Sequence, residues 1–243
     1  MTRREPQPAT PVAGIRSLGR RVASSFAGGP LAAPFITFYL LASWVIFLLH
    51  AEPGAWVYET PADELSAWLY NIPDLVDDTG AAVAAIVTAP WVHRTAVQLV
   101  FVTIGLLVFG TRLEYREGPI RTAGIFFATT AAAAITAGVV LHIIYPGMLD
   151  FGFLETAWNR TWGGGSAGLF GVIGALIGRA RRPLPLLGLV LLWEAAFTVF
   201  VYQDYVPAFH LPALLAGFVA TRYVLPGSRD ETAMSLLTGA RPQ

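Results

Sequence analysis

Apolar residues are concentrated in six long stretches, and shorter polar segments between them carry most of the charge. Stretches of about 20 apolar residues have the length that a helix needs to cross the hydrocarbon core of a bilayer. The stretches have the approximate bounds 33–50, 91–111, 121–145, 163–180, 184–202 and 206–225. This pattern predicts an all-α polytopic membrane protein, built as a bundle of six transmembrane helices.

The fourth stretch differs from the others because its first half is mostly glycine. It begins TWGGGSAGLFG, which places Gly163, Gly164 and Gly165 before Ser166 and Gly168 after it. Glycine in a helix interior costs about 1 kcal/mol relative to alanine. Gly164 and Gly168 form a GxxxG pair, which is typical of membrane helices that approach each other closely. We therefore expect the glycines to serve close packing of this helix against a neighbour.

Arginine marks alternate connections between the stretches. On one side of a six-span arrangement lie Arg112, Arg116 and Arg121; Arg179, Arg181 and Arg182; Arg222 and Arg229; and Arg3, Arg4, Arg16, Arg20 and Arg21. The opposite side has only Arg94 and Arg160, together with most of the acidic residues. Because arginine near span ends marks the cytoplasmic face, both termini are predicted to be cytoplasmic. We expect an integral protein of a prokaryotic cell membrane.

The polar segments outside the stretches define the expected domain organisation. Residues 1–29 are predicted to be an uncleaved cytoplasmic tail, and residues 227–243 a second cytoplasmic tail. The six-span membrane domain then covers 30–226 and includes a long outer loop at 51–88. Within that loop the segment PADELSAWLYNI is expected to form a short interfacial helix, with Trp68 and Tyr70 at headgroup level.

Composition agrees with a membrane protein and excludes several kinds of chemistry. The 243 residues are 55% hydrophobic, with a mean hydropathy of +0.57 and a net charge of zero. A neutral chain has no general attraction for nucleic acid, so no nucleic-acid partner is expected. The sequence has no cysteine, which excludes disulfides, thiolate metal sites and a cysteine nucleophile.

Ser166 and His210 are candidates for an activated nucleophile and its base. Each lies about four residues inside the outer end of its stretch, which places both roughly 6 Å below the boundary at the rise of an α-helix. Ala213 and Gly217 form a small-xxx-small pair on the side of the sixth stretch that carries His210, so the two helices can approach closely. A serine hydroxyl within hydrogen-bond reach of a neutral imidazole is an activated nucleophile.

Three motifs resemble those of the rhomboid family of intramembrane serine proteases. GGSAGLFG at 164–171 is similar to the family motif GxSG followed by an aromatic residue, and HLPALLAG at 210–217 is similar to its histidine-containing last span. FGTRLEYREG at 109–118 resembles the glycine and glutamate turn after the family's second span. The motifs occur in the family's order, and the resemblance covers about 33–225.

The resemblance implies a function and a role for each matching residue. Ser166 matches the nucleophile and His210 the general base, without a third acidic member, and Phe170 matches an aromatic residue that packs against the histidine. Backbone N–H groups around Gly164 and Gly165 would support the oxyanion. The implied partner is a single-span membrane protein substrate that enters from the lipid bilayer, and neither a metal nor a cofactor is implied.

The sequence departs from the family pattern near the oxyanion. Ala167 stands where the family has a glycine after the serine, and the second-span positions for histidine and asparagine hold Gln98 and Val102. Gln98 can donate an N–H to the oxyanion, but it can equally be an interhelical hydrogen-bond partner. The departures leave open an alternative function, a rhomboid-like pseudoprotease that binds membrane helices without cutting them.

Four further polar residues lie in or near the spans. Glu194 is the one acidic residue in mid-span, which makes it a functional candidate by default, although the protease interpretation does not require it. It would be the coupling acid of a transporter, but no second acid or inverted repeat accompanies it. His50, His93 and His142 are interpreted as interfacial polar residues, since their spacing matches no metal-binding motif.

Overall fold

The structure is a computed structural model that describes residues 33–50, 65–149, 151–202 and 205–225, so the two predicted tails and residues 51–64 of the predicted loop lie outside the described residues. The helices are α1 (Pro34–His50), α2 (Asp74–Asp77), α3 (Thr79–Thr88), α4 (Ala96–Gly105), α5 (Thr111–Glu117), α6 (Pro119–Ile144), α7 (Gly152–Asn159), α8 (Ser166–Arg179), α9 (Pro183–Phe197) and α10 (Pro207–Val219). π-helical turns at Leu106–Gly110, Thr198–Tyr202 and Ala220–Val224 join α4 to α5 and extend α9 and α10.

Helices occupy all six of the predicted stretches. Within the part of the chain that the structure describes, three continuous helical segments are long and apolar enough to cross a membrane, namely Ala96–Glu117, Pro119–Ile144 and Pro183–Phe200. Shorter apolar helices cover Pro34–His50 and Ser166–Arg179. The described part of the chain is thus mostly helical, and some of its helices are long enough to span a bilayer. The count of six spans stays a prediction.

The described part of the predicted outer loop is more structured than the sequence indicated. An apolar helical segment, Thr79–Trp91, lies almost entirely within it. The carboxylate of Asp78 accepts a hydrogen bond from the N–H of Ala81 at 3.0 Å and caps the start of α3. Alanines 82 and 85 of α3 are buried, which anchors this segment to the rest of the fold.

The expected interfacial helix over 61–72 is wrong for the residues that are described. The chain there makes one 3-10 turn at Ser66–Trp68 and then a short strand, β1 (Tyr70–Asn71), which pairs antiparallel with β2 (Thr161–Trp162). Tyr70 is buried, and its hydroxyl donates to the carbonyl of Ala134 at 3.1 Å. Strand pairing and burial of this tyrosine therefore override the local helical pattern.

Helix α8 is at the centre of the bundle, with twelve of its fourteen residues buried. Its glycines face neighbours that leave no room for a side chain. A Cβ at Gly168 would meet the ring of Phe126 on α6, and one at Gly174 would meet the backbone carbonyl of Leu214 on α10. The glycines of α8 thus serve close packing against α6 and α10, as expected from the small residues of this stretch.

Polar contacts connect the helices at the end of the bundle that is farther from Ser166. The Arg179 guanidinium is fully buried and donates to the Glu117 carboxylate at 3.0 Å and to the carbonyls of Thr221 and Leu225. The Glu114 carboxylate accepts hydrogen bonds from backbone N–H groups in the first turn of α1. These contacts connect α1, α5, α8 and the extension of α10. They fix the ends of α8 and α10 that are farther from Ser166.

Candidate active site

Ser166 is the first residue of α8, because the glycines before it do not form a helix. The stretch predicted at 163–180 is therefore helical only from Ser166. Gly164 has a φ of +105°, a conformation that residues with a side chain rarely adopt. Pairing of β2 with β1 ends immediately before these glycines, so the chain must turn sharply from an extended strand into the helix. Gly164 supplies that turn, and the GxxxG interpretation of Gly164 and Gly168 is wrong for this reason.

The structure brings Ser166 and His210 together. His210 lies in the first turn of α10, and its Nε2 is 3.0 Å from the Oγ of Ser166. The imidazole is 2% exposed and stacks on the ring of Phe170, with 4.1 Å between centroids and 11° between planes. Phe170 is one turn after Ser166 on α8, so it positions the imidazole opposite the hydroxyl.

The other imidazole nitrogen has a partner that the sequence did not identify. Nδ1 of His210 is 2.6 Å from Oε1 of Glu194 on α9, and both side chains are 2% exposed. The sequence signalled Glu194 as the one mid-span acid, but it gave no indication that this side chain reaches His210. One imidazole therefore lies between a carboxylate and a serine hydroxyl, an arrangement that can remove a proton from the hydroxyl.

Hydrogen bonds from three directions hold the glycine turn before Ser166. The N–H of Gly164 donates to the carbonyl of Ala89 at 2.8 Å, and the N–H of Gly165 donates to Nε2 of His93 at 3.2 Å. The Gln98 amide donates to the carbonyl of Gly163 at 2.9 Å. The N–H groups of Gly164 and Gly165 are therefore both engaged in holding the turn.

Gln98 packs directly over the glycine turn. Its Oε1 accepts the N–H of Arg94 at 3.0 Å, and a Cβ at Gly164 would collide with the Gln98 amide. Val102, one turn further along α4, is buried in the hydrophobic core. Of the two second-span positions that depart from the family pattern, only Gln98 thus lies at the site, and its amide links α4 to the turn.

His93 precedes the spanning segment that begins at Ala96, and it contacts the site through its ring. The His93 ring is buried, and its Nε2 accepts the N–H of Gly165 at 3.2 Å, so this nitrogen carries no proton in the structure. The sequence interpretation of His93 as an interfacial residue missed this contact, since the turn that it binds has no helical periodicity.

A cavity of about 340 Å³ opens at the Ser166–His210 pair. Its walls are mainly apolar and come from α3, α4, α6, β2 and the residues around Phe209. Arg94 and Arg160 line it as well, and the Arg160 guanidinium lies 5.0 Å from the centroid of the Trp162 ring. A volume of this size lies within the range of ligand pockets in proteins.

No group of three histidine, cysteine, aspartate or glutamate side chains in the described ranges could hold a metal ion. His142 instead bonds the carbonyl of Gly138 at 2.8 Å within its own helix, and its ring contacts that of Trp158. It is placed as a helix-surface histidine beside an aromatic residue.

The fold and the site define a helical membrane protein in which a half-buried serine contacts a buried histidine. A model of the Rhomboid domain matches residues 81–226, which is more than half of the chain. No curated protein matches the sequence. The chain belongs to the rhomboid family, and it is an integral membrane protein of the intramembrane protease or pseudoprotease type.

Proposed function

We propose that this protein is an intramembrane serine protease in which Ser166 is the nucleophile and His210 the general base. The observation that carries the proposal is the 3.0 Å distance between Ser166 Oγ and His210 Nε2 at the wall of a cavity. A hydroxyl and an imidazole at this distance can exchange a proton directly, which is the geometric requirement for general base catalysis.

The reaction proceeds through two proton transfers in each half. Ser166 Oγ attacks the scissile carbonyl carbon while its proton moves to His210 Nε2, and the carbonyl oxygen becomes an oxyanion. Collapse of this intermediate breaks the carbon–nitrogen bond, and the proton on Nε2 leaves with the new amine. Water then attacks the carbonyl carbon of the acyl-enzyme while one of its protons moves to His210 Nε2. Collapse of this second intermediate breaks the bond between that carbon and Ser166 Oγ, Nε2 returns the proton to Oγ, and a carboxylic acid product leaves.

The N-terminus of α8 supplies the most suitable oxyanion donors. Backbone N–H groups in the first turn of a helix have no acceptor within that helix, and they carry the positive end of its dipole. Those of Ser166 and Ala167 are adjacent to the nucleophile, since α8 begins at Ser166. We assign Gln98, Gly164 and Gly165 to the support of this helix end, because their hydrogen bonds hold the preceding turn.

The proposed substrate is a single-span membrane protein. Its backbone is helical within the bilayer, so the scissile peptide must unwind locally before it can enter the cavity as an extended segment. The mainly apolar walls suit a peptide from the membrane, and the two arginines suit polar groups near its end. We further propose six spans with both termini in the cytoplasm, based on the arginine pattern.

Cleavage of a single-span substrate in proteoliposomes tests the proposal. Ser166→Ala and His210→Ala are each expected to abolish cleavage, and the double variant should be no worse, because members of one catalytic unit are not additive. Thr156→Ala, which removes an exposed hydroxyl that bonds the carbonyl of Gly152 within α7, serves as a folding control. Substantial cleavage by Ser166→Ala would refute the serine mechanism.

The pseudoprotease alternative gains support from one feature of the site. The amide of Gln98 is engaged with the glycine turn, and Val102 offers no donor, so neither side chain replaces the family's oxyanion donors. Under this alternative the wild-type protein captures the substrate helix and never cleaves it. Capture that is equal in wild type and Ser166→Ala, without product in either, would favour it.

A further inference from the structure

Helix α9 (Pro183–Phe197) has one buried residue, Glu194. The Glu194 side chain is 2% exposed, while Leu189, Leu192 and Trp193 are more than half exposed. A helix whose apolar side chains face outward and whose single acid faces inward is unusual, because burying a carboxylate costs several kcal/mol unless it has a partner. The partner must therefore explain why the acid is there.

The partner of Glu194 is His210. Oε1 lies 2.6 Å from Nδ1, slightly shorter than the range of about 2.7–2.9 Å that charge-assisted N–H···O hydrogen bonds favour. Oε2 has no hydrogen-bond partner within the described residues. Among the described residues, the His210 imidazole is thus the hydrogen-bond partner of the Glu194 carboxylate.

We propose that Glu194 is a positioning residue that completes a Ser166–His210–Glu194 triad. An ionised carboxylate can only accept, so Nδ1 must carry the ring proton, and Nε2 keeps the lone pair that receives the proton of Ser166. When Nε2 is protonated, the ring is an imidazolium, and the adjacent negative charge stabilises it. Glu194 itself stays ionised throughout. This inference rests on the proposed protease function, whose family resemblance implies a pair and not a triad.

The alternative protonation state makes the opposite prediction. A neutral Glu194 would donate to Nδ1 and leave the ring proton on Nε2, where it points toward Ser166 and blocks proton transfer. A glutamine at 194 is close in shape to the neutral acid and can also donate to Nδ1. Glu194→Gln therefore distinguishes the two states, because it removes the charge and keeps the capacity for a hydrogen bond.

The experiment compares Glu194→Gln with wild type in proteoliposomes, with a single-span substrate over a range of concentrations. We expect kcat to fall on the order of 10²–10⁴-fold while KM stays within about threefold, because a wrong tautomer impairs chemistry and not substrate binding. Leu192→Gln places the same amide on the exposed face of the same helix and should leave kcat unchanged. A purely structural role for Glu194 would lower the thermal midpoint and leave kcat per folded molecule unchanged.

Each outcome decides the matter. A kcat for Glu194→Gln within about threefold of wild type would overturn the triad. If that variant does not fold, Glu194→Asp decides: it keeps the charge but moves it away from Nδ1, so a loss in kcat at constant KM supports the triad and an unchanged kcat overturns it. An inactive wild type would refute the protease function and the triad that rests on it, whereas an active wild type with an unaffected Glu194→Gln variant would refute the triad alone.

Discussion

Replacing Gly217 with alanine should damage the site from two helical turns away. Gly217 lies seven residues after His210, on the face of α10 that packs against α8. A Cβ at this position would collide with the backbone carbonyl of Gly171 and would also lie 3.1 Å from the N of Ala175. Neither neighbour is a flexible side chain, so the helices must move apart.

The size of the effect follows from that geometry. A carbon–oxygen contact needs about 3.3 Å, which requires the two backbones to separate by more than about 1 Å. A displacement of that size at reacting groups costs about 10²-fold in rate. Overpacking of this kind also destabilises the fold by about 1–3 kcal/mol. We therefore expect Gly217→Ala to lower kcat about 10²-fold and to lower the thermal midpoint.

The assay measures kcat on a single-span substrate and thermal unfolding on the same purified sample. Gly124→Ala on α6 is the matched control, because a Cβ there meets nothing within 4 Å. Alanine is the better helix former by about 1 kcal/mol, so this control should be at least as stable as wild type with an unchanged kcat. If Gly217→Ala behaves like Gly124→Ala, close approach of α8 and α10 does not set the geometry of the site.

Three further predictions concern other parts of the molecule. Glu117→Ala should destabilise the protein by about 3–5 kcal/mol, since it leaves the buried Arg179 without its carboxylate, and kcat per folded molecule should be unchanged; thermal unfolding with activity checks both. Gln98→Ala should lower the thermal midpoint, because it removes two hydrogen bonds of about 1 kcal/mol each, and it should change kcat less than about tenfold. A loss of about 10²–10³-fold in kcat would instead show that Gln98 is an oxyanion donor. Reporter fusions after Arg182 and within 51–88 should report opposite sides of the membrane, and the same side for both would refute the six-span topology.

The pairing of Ser166 with His210 could be expected from the sequence for a physical reason. In a membrane the depth of a residue follows from its distance to the end of its apolar stretch, so two residues at equal depth are candidates for contact. The small residues on α8 and α10 then indicated which helices approach closely. Depth and small-residue pattern together were enough to identify this pair, although its catalytic role stays a prediction.

Other parts of the site could not be predicted, because they depend on tertiary contacts without periodicity. Hydropathy does not distinguish a glycine turn from the first turn of a helix, so the extension of the fourth stretch to Gly163 was wrong. The sequence showed only that Glu194 lies in mid-span. The direction in which its side chain points depends on the rotation of α9 about its own axis. A helix that is apolar on every other face gives no sequence signal for that rotation.

The burial of Tyr70 illustrates the same limit in the outer segment. Locally the sequence around it has the aromatic and polar mixture of an interfacial helix. The partner strand at Thr161–Trp162 is about 90 residues away along the chain, and only the folded molecule brings it to Tyr70. Long-range pairing of this kind overrides local helical preference.

The central claim, an activated Ser166, is tested most directly by a serine-reactive phosphonate probe. We expect the probe to label the wild-type protein at Ser166, as identified by peptide mass spectrometry, and we expect His210→Ala to lose this labelling while remaining folded. Reaction requires that the hydroxyl lose its proton to the imidazole at 3.0 Å, so a serine that serves only packing would not react. A folded wild-type protein that is not labelled at Ser166, or labelling that is equal in His210→Ala, would contradict the account.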